Sequence, residues 1–121
     1  MPAASTVTVY KMSPAKLFEI AQQAIKDKGL TITLAASGVI QTDWKSYEGE
    51  FHIARRWQEQ TRYRVSIIPD VNDPVNHSRF EVGEETQRRS NERAQWSSAE
   101  GRPQRVKEIR EAIAAKASEA N

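Results

Sequence analysis

The sequence predicts an α+β domain in which one antiparallel sheet carries two helices on the same face. A long period-two pattern at residues 56–68 predicts the sheet, and two segments with apolar residues at helical spacing, one after residue 13 and one after residue 102, predict the helices. A sheet with one polar face buries its apolar face most easily under both helices. The expected architecture is therefore a two-layer sandwich of order β-α-β-β-β-β-α, and its 121 residues suit one domain.

The N-terminal part predicts a strand followed by a helix. Residues 6–10 contain β-branched residues in alternation and predict the first strand. Ser13 is a favourable N-cap and Pro14 a favourable first helical residue, because serine can accept a bond from a free backbone N–H and proline has none to lose. Gly29 supplies the left-handed residue that ends the helix. The predicted buried stripe consists of Leu17, Ile20, Ala21, Ala24 and Ile25.

Four further strands are predicted at residues 30–34, 39–47, 56–68 and 80–86, with turn residues between them at 35–38, 48–50 and 69–74. The third of these has the clearest pattern, because successive side chains of a strand point to opposite faces. One face is predicted to hold Trp57, Glu59, Thr61, Tyr63, Val65 and Ile67. The other, polar throughout, holds Arg56, Gln58, Gln60, Arg62, Arg64 and Ser66. The first face is expected inside, with Phe80 and Val82 of the next strand, and the second in solvent.

The C-terminal part predicts a loop and a helix. Residues 88–102 are polar with little periodicity, so we expect a polar loop with Trp96 at the surface. Pro103 opens the last helix, whose predicted buried stripe is Val106, Ile109 and Ile113. Residues 1–4 are expected to form a disordered tail, and residues 116–121 a frayed C-terminus.

The composition excludes several classes of protein. The chain has no cysteine, which removes disulfides, zinc ribbons and thiol nucleophiles. Its net charge of +2 is mild, and its apolar runs are far too short to cross a bilayer. The first residues, Met-Pro-Ala-Ala-Ser, lack the features of an export signal. The compartment stays open, because cysteine-free domains occur in both the cytosol and the periplasm.

No catalytic or metal constellation is predicted, and no cofactor. The two histidines, His52 and His77, lie in no motif with nucleophile spacing, and we interpret them as surface or turn residues. One candidate cation site alternates along a strand: Glu48, Glu50 and His52. Another resembles the start of a calcium loop: Asp70, Asn72 and Asp73. Gly49 favours a turn in the first, and Pro74 with the missing later ligands favours Asx turns in the second.

The arginine-rich strand leaves two interpretations open. Arginines beside aromatic residues are typical of proteins that bind single-stranded nucleic acid; here they are Arg55, Arg56, Trp57, Arg62, Tyr63 and Arg64. Against this, Tyr63 falls in the inward phase. The favoured interpretation is a ladder of cross-strand ion pairs with Glu81, Glu84 and Glu85. Trp44, Trp57 and Trp96 could likewise form an exposed platform, although packing in the core or at its rim is commoner.

Several short motifs carry a family resemblance over residues 5–90. They are a strand and helix that end in Lys-Gly-Leu, the run from Gly38 to Trp44, and the run from Arg62 to Val65. Together they resemble the BamC (NlpB) lipoprotein domains of Gram-negative outer membranes. The resemblance implies a helix-grip fold that makes protein–protein contacts without catalysis, tethered to the outer membrane by an N-terminal lipid. The lipobox cysteine is missing from this chain, and a BamC protein has two such domains.

We therefore expect a non-enzymatic cell-envelope domain, periplasmic and anchored at the outer membrane, that binds or scaffolds a protein. The predicted binding residues are Arg56, Gln58, Gln60, Arg62, Arg64 and Trp96. A cytoplasmic nucleic-acid binder is the alternative, and a small-molecule carrier with its cleft between helices and sheet is a third class, although no small-molecule substrate is expected.

Overall fold

The helices and strands follow the predicted α+β plan. The computed structural model of the chain describes residues 8–51 and 55–120. The elements of this described part are α1 (Pro14–Asp27), β1 (Ile32–Ala36), β2 (Val39–Thr42), β3 (Lys45–Phe51), β4 (Arg55–Pro69), β5 (Ser78–Arg89), β6 (Ser97–Ala99) and α2 (Pro103–Ala120). All strand pairings are antiparallel, in the order β1-β2-β4-β5-β6, and β3 also pairs with β4.

Helix α1 begins and ends where the sequence predicts. The Ser13 hydroxyl accepts a hydrogen bond from the backbone N–H of Lys16 at 3.2 Å, and Pro14 is the first helical residue. Gly29, with a φ of 81°, has the left-handed conformation that ends the helix. Helix α2 starts at the predicted Pro103 and stays helical through the residues up to 120 for which fraying was predicted.

The two helices and one sheet face form the hydrophobic core. Helix α1 contributes Leu17, Ala21, Ala24 and Ile25, helix α2 contributes Ile109, Ile113 and Ala117, and the sheet contributes Ile40, Tyr63, Val65 and Ile67. The predicted stripe residues Ile20 and Val106 are only half-buried. This core occupies the space between helices and sheet, and the two-layer sandwich is confirmed.

The predicted first strand differs from the observed structure. Within the described residues, Tyr10 forms a single bridge with Ser78, and residues 8 and 9 have no regular structure; residues 6 and 7 lie outside them. The Ser78 hydroxyl also donates to the backbone oxygen of Met12 at 2.9 Å. This bond holds the chain where it turns toward α1, so pairing stops after one bridge. The predicted tail, residues 1–4, also lies outside the described residues.

The strand predicted at 39–47 is divided into β2 and β3. The Asp43 carboxylate accepts the backbone N–H of Trp44 at 2.8 Å, and this local bond competes with strand pairing. Both pieces pair with the same edge of β4, and the Thr42 hydroxyl fills the gap by accepting the Tyr63 N–H at 2.9 Å. A continuous period-two pattern therefore conceals a break that depends on one aspartate.

Irregular segments predicted from the sequence contain strand in several places. Strand β1 includes Ala35 and Ala36 of the turn predicted at 35–38, and β4 includes Pro69 of the turn predicted at 69–74. The turn predicted at 48–50 is wrong: these residues belong to β3, whose seven register pairs with β4 outweigh the turn preference of Gly49. The loop predicted at 88–102 is wrong at both ends, because β5 continues to Arg89 and Ser97–Ala99 form β6 against it. Strand β6 is a short polar edge strand held by backbone pairing, so it has no apolar alternation to reveal it.

Candidate functional site: the open face of the sheet

The side of the sheet away from the helices carries the predicted binding residues. We call this surface the open face and define it by the outward residues of β4 and their register partners on β5. Gln58, Gln60, Arg62, Arg64 and Ser66 are half-buried or exposed, whereas Trp57, Glu59, Thr61, Tyr63, Val65 and Ile67 are buried. The predicted inward and outward residues of β4 are confirmed. The side chain of Arg56 lies outside the described part of the chain, so its predicted position stays a prediction.

Polar side chains on the open face bind one another across β4 and β5. Arg89 donates to the Gln58 side-chain oxygen at 2.5 Å, and the Gln60 amide donates to Gln87 at 2.8 Å. Arg62 forms an ion pair with Glu85 at 2.7 Å, between residues that are directly opposite in register. The predicted ladder is confirmed at Arg62. The open face is therefore a surface of ordered side chains.

The other two glutamates predicted for the ladder take different partners. Glu81 pairs with Arg79, two residues earlier on its own strand, at 3.0 Å. Glu84 lies opposite the inward Tyr63 in register and so faces the helices. A Cβ atom at Gly101 would collide with the Glu84 carboxyl, so any other residue there would require the Glu84 side chain to move. Burial is the main cause that raises the pKa of Glu84.

Two tryptophans near the open face have a ring face covered by an arginine. The Arg62 guanidinium lies 4.6 Å from the centre of the Trp44 ring, and that of Arg89 lies 4.3 Å from the Trp96 ring. Trp96, predicted at the surface, is half-buried, and Trp57 lies on the inward face. The structure thus does not gather the three tryptophans into one exposed platform.

Arg64 is the exception on this face. Its side chain is exposed and forms no hydrogen bond, ion pair or ring contact with any other described residue. Its register partner on β5 is Gly83, and a Cβ atom built there would meet nothing within 4 Å. Arg64 therefore faces a gap where Arg62, two residues earlier, faces Glu85. The described arginines of this face, Arg62, Arg64, Arg79 and Arg89, outnumber its glutamates, Glu81 and Glu85.

A second polar group lies on the inward face, and sequence reasoning missed it. We call it the Glu59 cluster: Glu59, Arg88, Arg102 and Arg105. The Glu59 side chain is 1% exposed, and its carboxylate binds Arg88 at 2.9 Å, Arg105 at 2.5 Å and Arg102 at 3.5 Å. Burial acts to raise the pKa of Glu59, but hydrogen bonds from Arg88 and Arg105 outweigh it and lower the pKa to about 2.

Hydroxyl groups extend the Glu59 cluster toward the core. Thr61 and Thr86 share a buried hydrogen bond of 2.9 Å, and Arg105 donates to the Thr61 hydroxyl, also at 2.9 Å. The Tyr47 and Tyr63 hydroxyls are 3.0 Å apart, and burial, helped by this bond, raises the pKa of Tyr63. The sequence held one signal of this cluster: Glu59 is a charged residue in the inward phase of the strand predicted at 56–68.

The alternative sites predicted from sequence do not come together in the described residues. Asp70 and Asp73 accept backbone N–H groups of Asn72 and Asn76, which are the predicted Asx turns, and His77 lies 3.9 Å from Asp73. Within residues 8–51 and 55–120, no three His, Asp or Glu side chains form a group able to hold a metal ion. His52 and the side chains of Glu48, Glu50 and Arg55 lie outside the described residues.

None of the described helices combines the length and apolar character needed to cross a membrane. Comparison with known proteins adds no relative: the chain matches no family model and no curated protein. The resemblance to BamC domains stays a prediction.

Proposed function

We propose that this chain is a non-enzymatic protein-binding or scaffolding domain of the bacterial cell envelope, and that its partner binds the open face. The observation that carries the proposal is Arg64, whose exposed side chain has no partner among the described residues and lies opposite Gly83, beside the cross-strand pair of Arg62 and Glu85. An arginine in such a gap can bind a carboxylate of another molecule, which would lie relative to Arg64 as Glu85 lies relative to Arg62.

The charge of the open face favours a partner that presents an acidic segment. Its described arginines exceed its glutamates by two, and opposite charges across an interface favour encounter and set the binding register. Near Arg64, the Arg62 side chain contacts Glu85 and the Trp44 ring, and the Gln60 amide donates a hydrogen bond to Gln87. Side chains that are already ordered lose less conformational entropy on binding. A partner carboxylate over Gly83 would complete the ladder.

Single-stranded nucleic acid is the alternative ligand of the same surface, because its phosphates would also pair with the surplus arginines. Binders of this class stack bases on aromatic rings. On this domain, guanidinium groups lie over Trp44 and Trp96, and Tyr63 is buried on the other face. These contacts favour the protein partner over nucleic acid.

The envelope location rests on the BamC resemblance. In this proposal the domain lies in the periplasm, held at the outer membrane by a lipid on a cysteine upstream of Met1. Sequencing the gene upstream of Met1 and labelling cells with a palmitate analogue test it. A lipobox cysteine and a labelled protein in the outer-membrane fraction are the expected results. A native start at Met1 with an unlabelled cytoplasmic protein would reject the location and leave the binding face to be tested separately.

A variant that fills the gap tests the binding face. Gly83→Glu places a carboxylate opposite Arg64, and the space at Gly83 is open with no positive φ to strain the new residue. We expect this variant to be more stable by roughly 0.2–1 kcal/mol from the new cross-strand pair, yet to lose the partner. Few binding-deficient variants combine a loss of binding with a gain in stability, so the result would be specific.

The assay is a crosslinking pull-down from the native organism with the wild type, Gly83→Glu, Arg64→Glu and the control Arg110→Glu. Arg110 is an exposed arginine on α2, away from the open face. A partner lost with the two open-face variants and kept with the control supports the proposal. A partner that Gly83→Glu retains, or that Arg110→Glu loses equally, rejects the open face. Capture abolished by nuclease would assign the surface to nucleic acid.

A further inference from the structure

The Glu59 cluster contains more positive charge than its carboxylates neutralise. Three guanidinium groups, those of Arg88, Arg102 and Arg105, bind the single carboxylate of Glu59. Glu84 is the other inward acid, and it accepts the backbone N–H of Arg102. Three arginines against two carboxyl groups leave at least one positive charge without a counterpart in the cluster. An anion beside this surplus positive charge would be attracted to it.

The arginines also have unused hydrogen-bond donors. A guanidinium group has five N–H donors. Arg88 uses two of them on Glu59, Arg105 uses one on Glu59 and one on Thr61, and Arg102 reaches Glu59 with one at 3.5 Å. That last contact is at the limit of a hydrogen bond. Arg102 is therefore the arginine most able to turn to another anion without breaking the cluster.

Two arginines of the Glu59 cluster are partly exposed to solvent. The Arg102 side chain is 47% exposed, and the Arg88 side chain is 30% exposed although its guanidinium binds the buried carboxylate. Arg88 lines an open cleft of about 540 Å³ between the end of β5 and β6, with Trp57 on one wall and the Ser97 and Ser98 hydroxyls nearby. The cleft is large enough to hold a small ligand, and its walls offer cations and hydroxyl donors.

We propose that the Glu59 cluster and this cleft bind a small, multiply charged oxyanion. The anion lies between Arg102 and Arg88, which already approach each other because both bind Oε1 of Glu59. Planar guanidinium groups hold phosphate and carboxylate oxygens in the same two-point fashion. Ser97, the register partner of Arg88, adds a hydroxyl from β6. Glu100 on the cleft wall disfavours large polyanions, which would lie against it.

The experiment is a titration of the ¹⁵N-labelled protein, followed at the indole N–H of Trp57. That group donates to Glu59 at 3.4 Å and its ring lines the cleft, so it reports directly on the site. The probes are inorganic phosphate, pyrophosphate and citrate, each compared with sodium chloride at equal ionic strength. We expect a saturable shift with at least one probe. Preference for pyrophosphate assigns phosphate chemistry, and preference for citrate assigns carboxylate chemistry.

Matched variants separate a site from general charge attraction. Arg102→Gln should weaken the Kd at least about tenfold, because it removes a charged hydrogen-bond donor, whereas Arg110→Gln, at an exposed position of α2, should leave it unchanged. If Arg102→Gln does not fold, Ser97→Glu serves instead, since it places a carboxylate opposite Arg88 and should abolish the saturable shift. The proposal is overturned if chloride reproduces the shift, if no probe saturates, or if both arginine variants bind alike.

Discussion

The inward face of β4 has two halves that are equally buried by different means. Tyr63, Val65 and Ile67 form the apolar half, which packs against the helix side chains of the core. Trp57, Glu59 and Thr61 form the polar half, where arginines and hydroxyl groups do the covering. Val65 and Thr61 are both 0% exposed, although they lie only four residues apart on one strand.

This difference shows that burial and hydrophobicity are separate properties of a strand. The apolar half is stabilised by the non-directional removal of surface from water. The polar half requires each buried group to find a partner, since an unpaired polar group in the interior costs far more than a paired one gains. We therefore expect the cost of a substitution in the polar half to depend on the charges and hydrogen bonds that it removes. In the apolar half the cost should depend on the side-chain volume that it removes.

The largest expected effect is that of Glu59→Ala, which removes the one acceptor shared by Arg88, Arg102 and Arg105. Loss of one side of a buried ion pair costs about 3–5 kcal/mol. Leu17→Ala in the apolar core should cost about 2–5 kcal/mol by leaving a cavity. Urea unfolding at pH 7 measures both. A cost below about 1 kcal/mol for Glu59→Ala would mean that the arginines find water instead, and that the two halves do not differ as proposed.

A pH series sharpens the comparison, because only the polar half contains a titrating group with a strongly lowered pKa. The pKa of Glu59 is about 2 in the folded protein against an ordinary value of 4.5. A carboxyl group whose pKa is lowered by folding stabilises the protein at pH values above its pKa in the unfolded chain. This stabilisation is lost as the pH falls through its pKa in the folded protein. Wild type should therefore lose about 3 kcal/mol more than Glu59→Gln between pH 5 and pH 2. The stability of Leu17→Ala should be lower at every pH but should change with pH as the wild type does. Parallel curves for wild type and Glu59→Gln would contradict the lowered pKa.

The same two halves explain what the sequence could predict. The period-two phase of residues 56–68 predicted which face of β4 is buried, in the polar half as well as the apolar half. It could not predict what covers each half, because Arg102 and Arg105 reach Glu59 from more than 40 positions away in the chain. Partners at that distance depend on the placement of α2, and local patterns do not encode that placement.

The strand boundaries that were predicted wrongly depend on a few local contacts. One hydrogen bond from Trp44 to its neighbour Asp43 divides β2 from β3, and β6 exists through three register pairs with β5. Neither leaves a hydrophobic period in the sequence. On the open face, the Arg62–Glu85 pair was predictable from the alternating charges of two neighbouring strands. The gap at Arg64 was not predictable, because it depends on the strand register that places Gly83 opposite Arg64.

A smaller effect is expected for the buried hydroxyl pair in the polar half. Thr61→Val should cost about 1–3 kcal/mol, because it leaves the Thr86 hydroxyl without its partner and an Arg105 N–H without its acceptor. Thr86→Val should cost less, since Thr61 keeps its bond from Arg105. Thermal and urea unfolding of the two single variants and the double variant give the coupling. Equal costs for the two single variants would show that Arg105 contributes nothing through Thr61.

The smallest effect is expected on the open face, where the Arg62–Glu85 ion pair is one-third to one-half exposed. A double-mutant cycle with Arg62→Ala and Glu85→Ala should give a coupling of about 0.2–1 kcal/mol that falls as salt is added, because water and ions screen exposed charges. The Arg62→Glu, Arg64→Glu double variant should likewise lower stability only modestly while it removes the partner. A coupling that rivals the cost of Glu59→Ala would mean that the open face holds the fold together. Its arginines would then be structural residues, and Arg64 would not be kept for a partner.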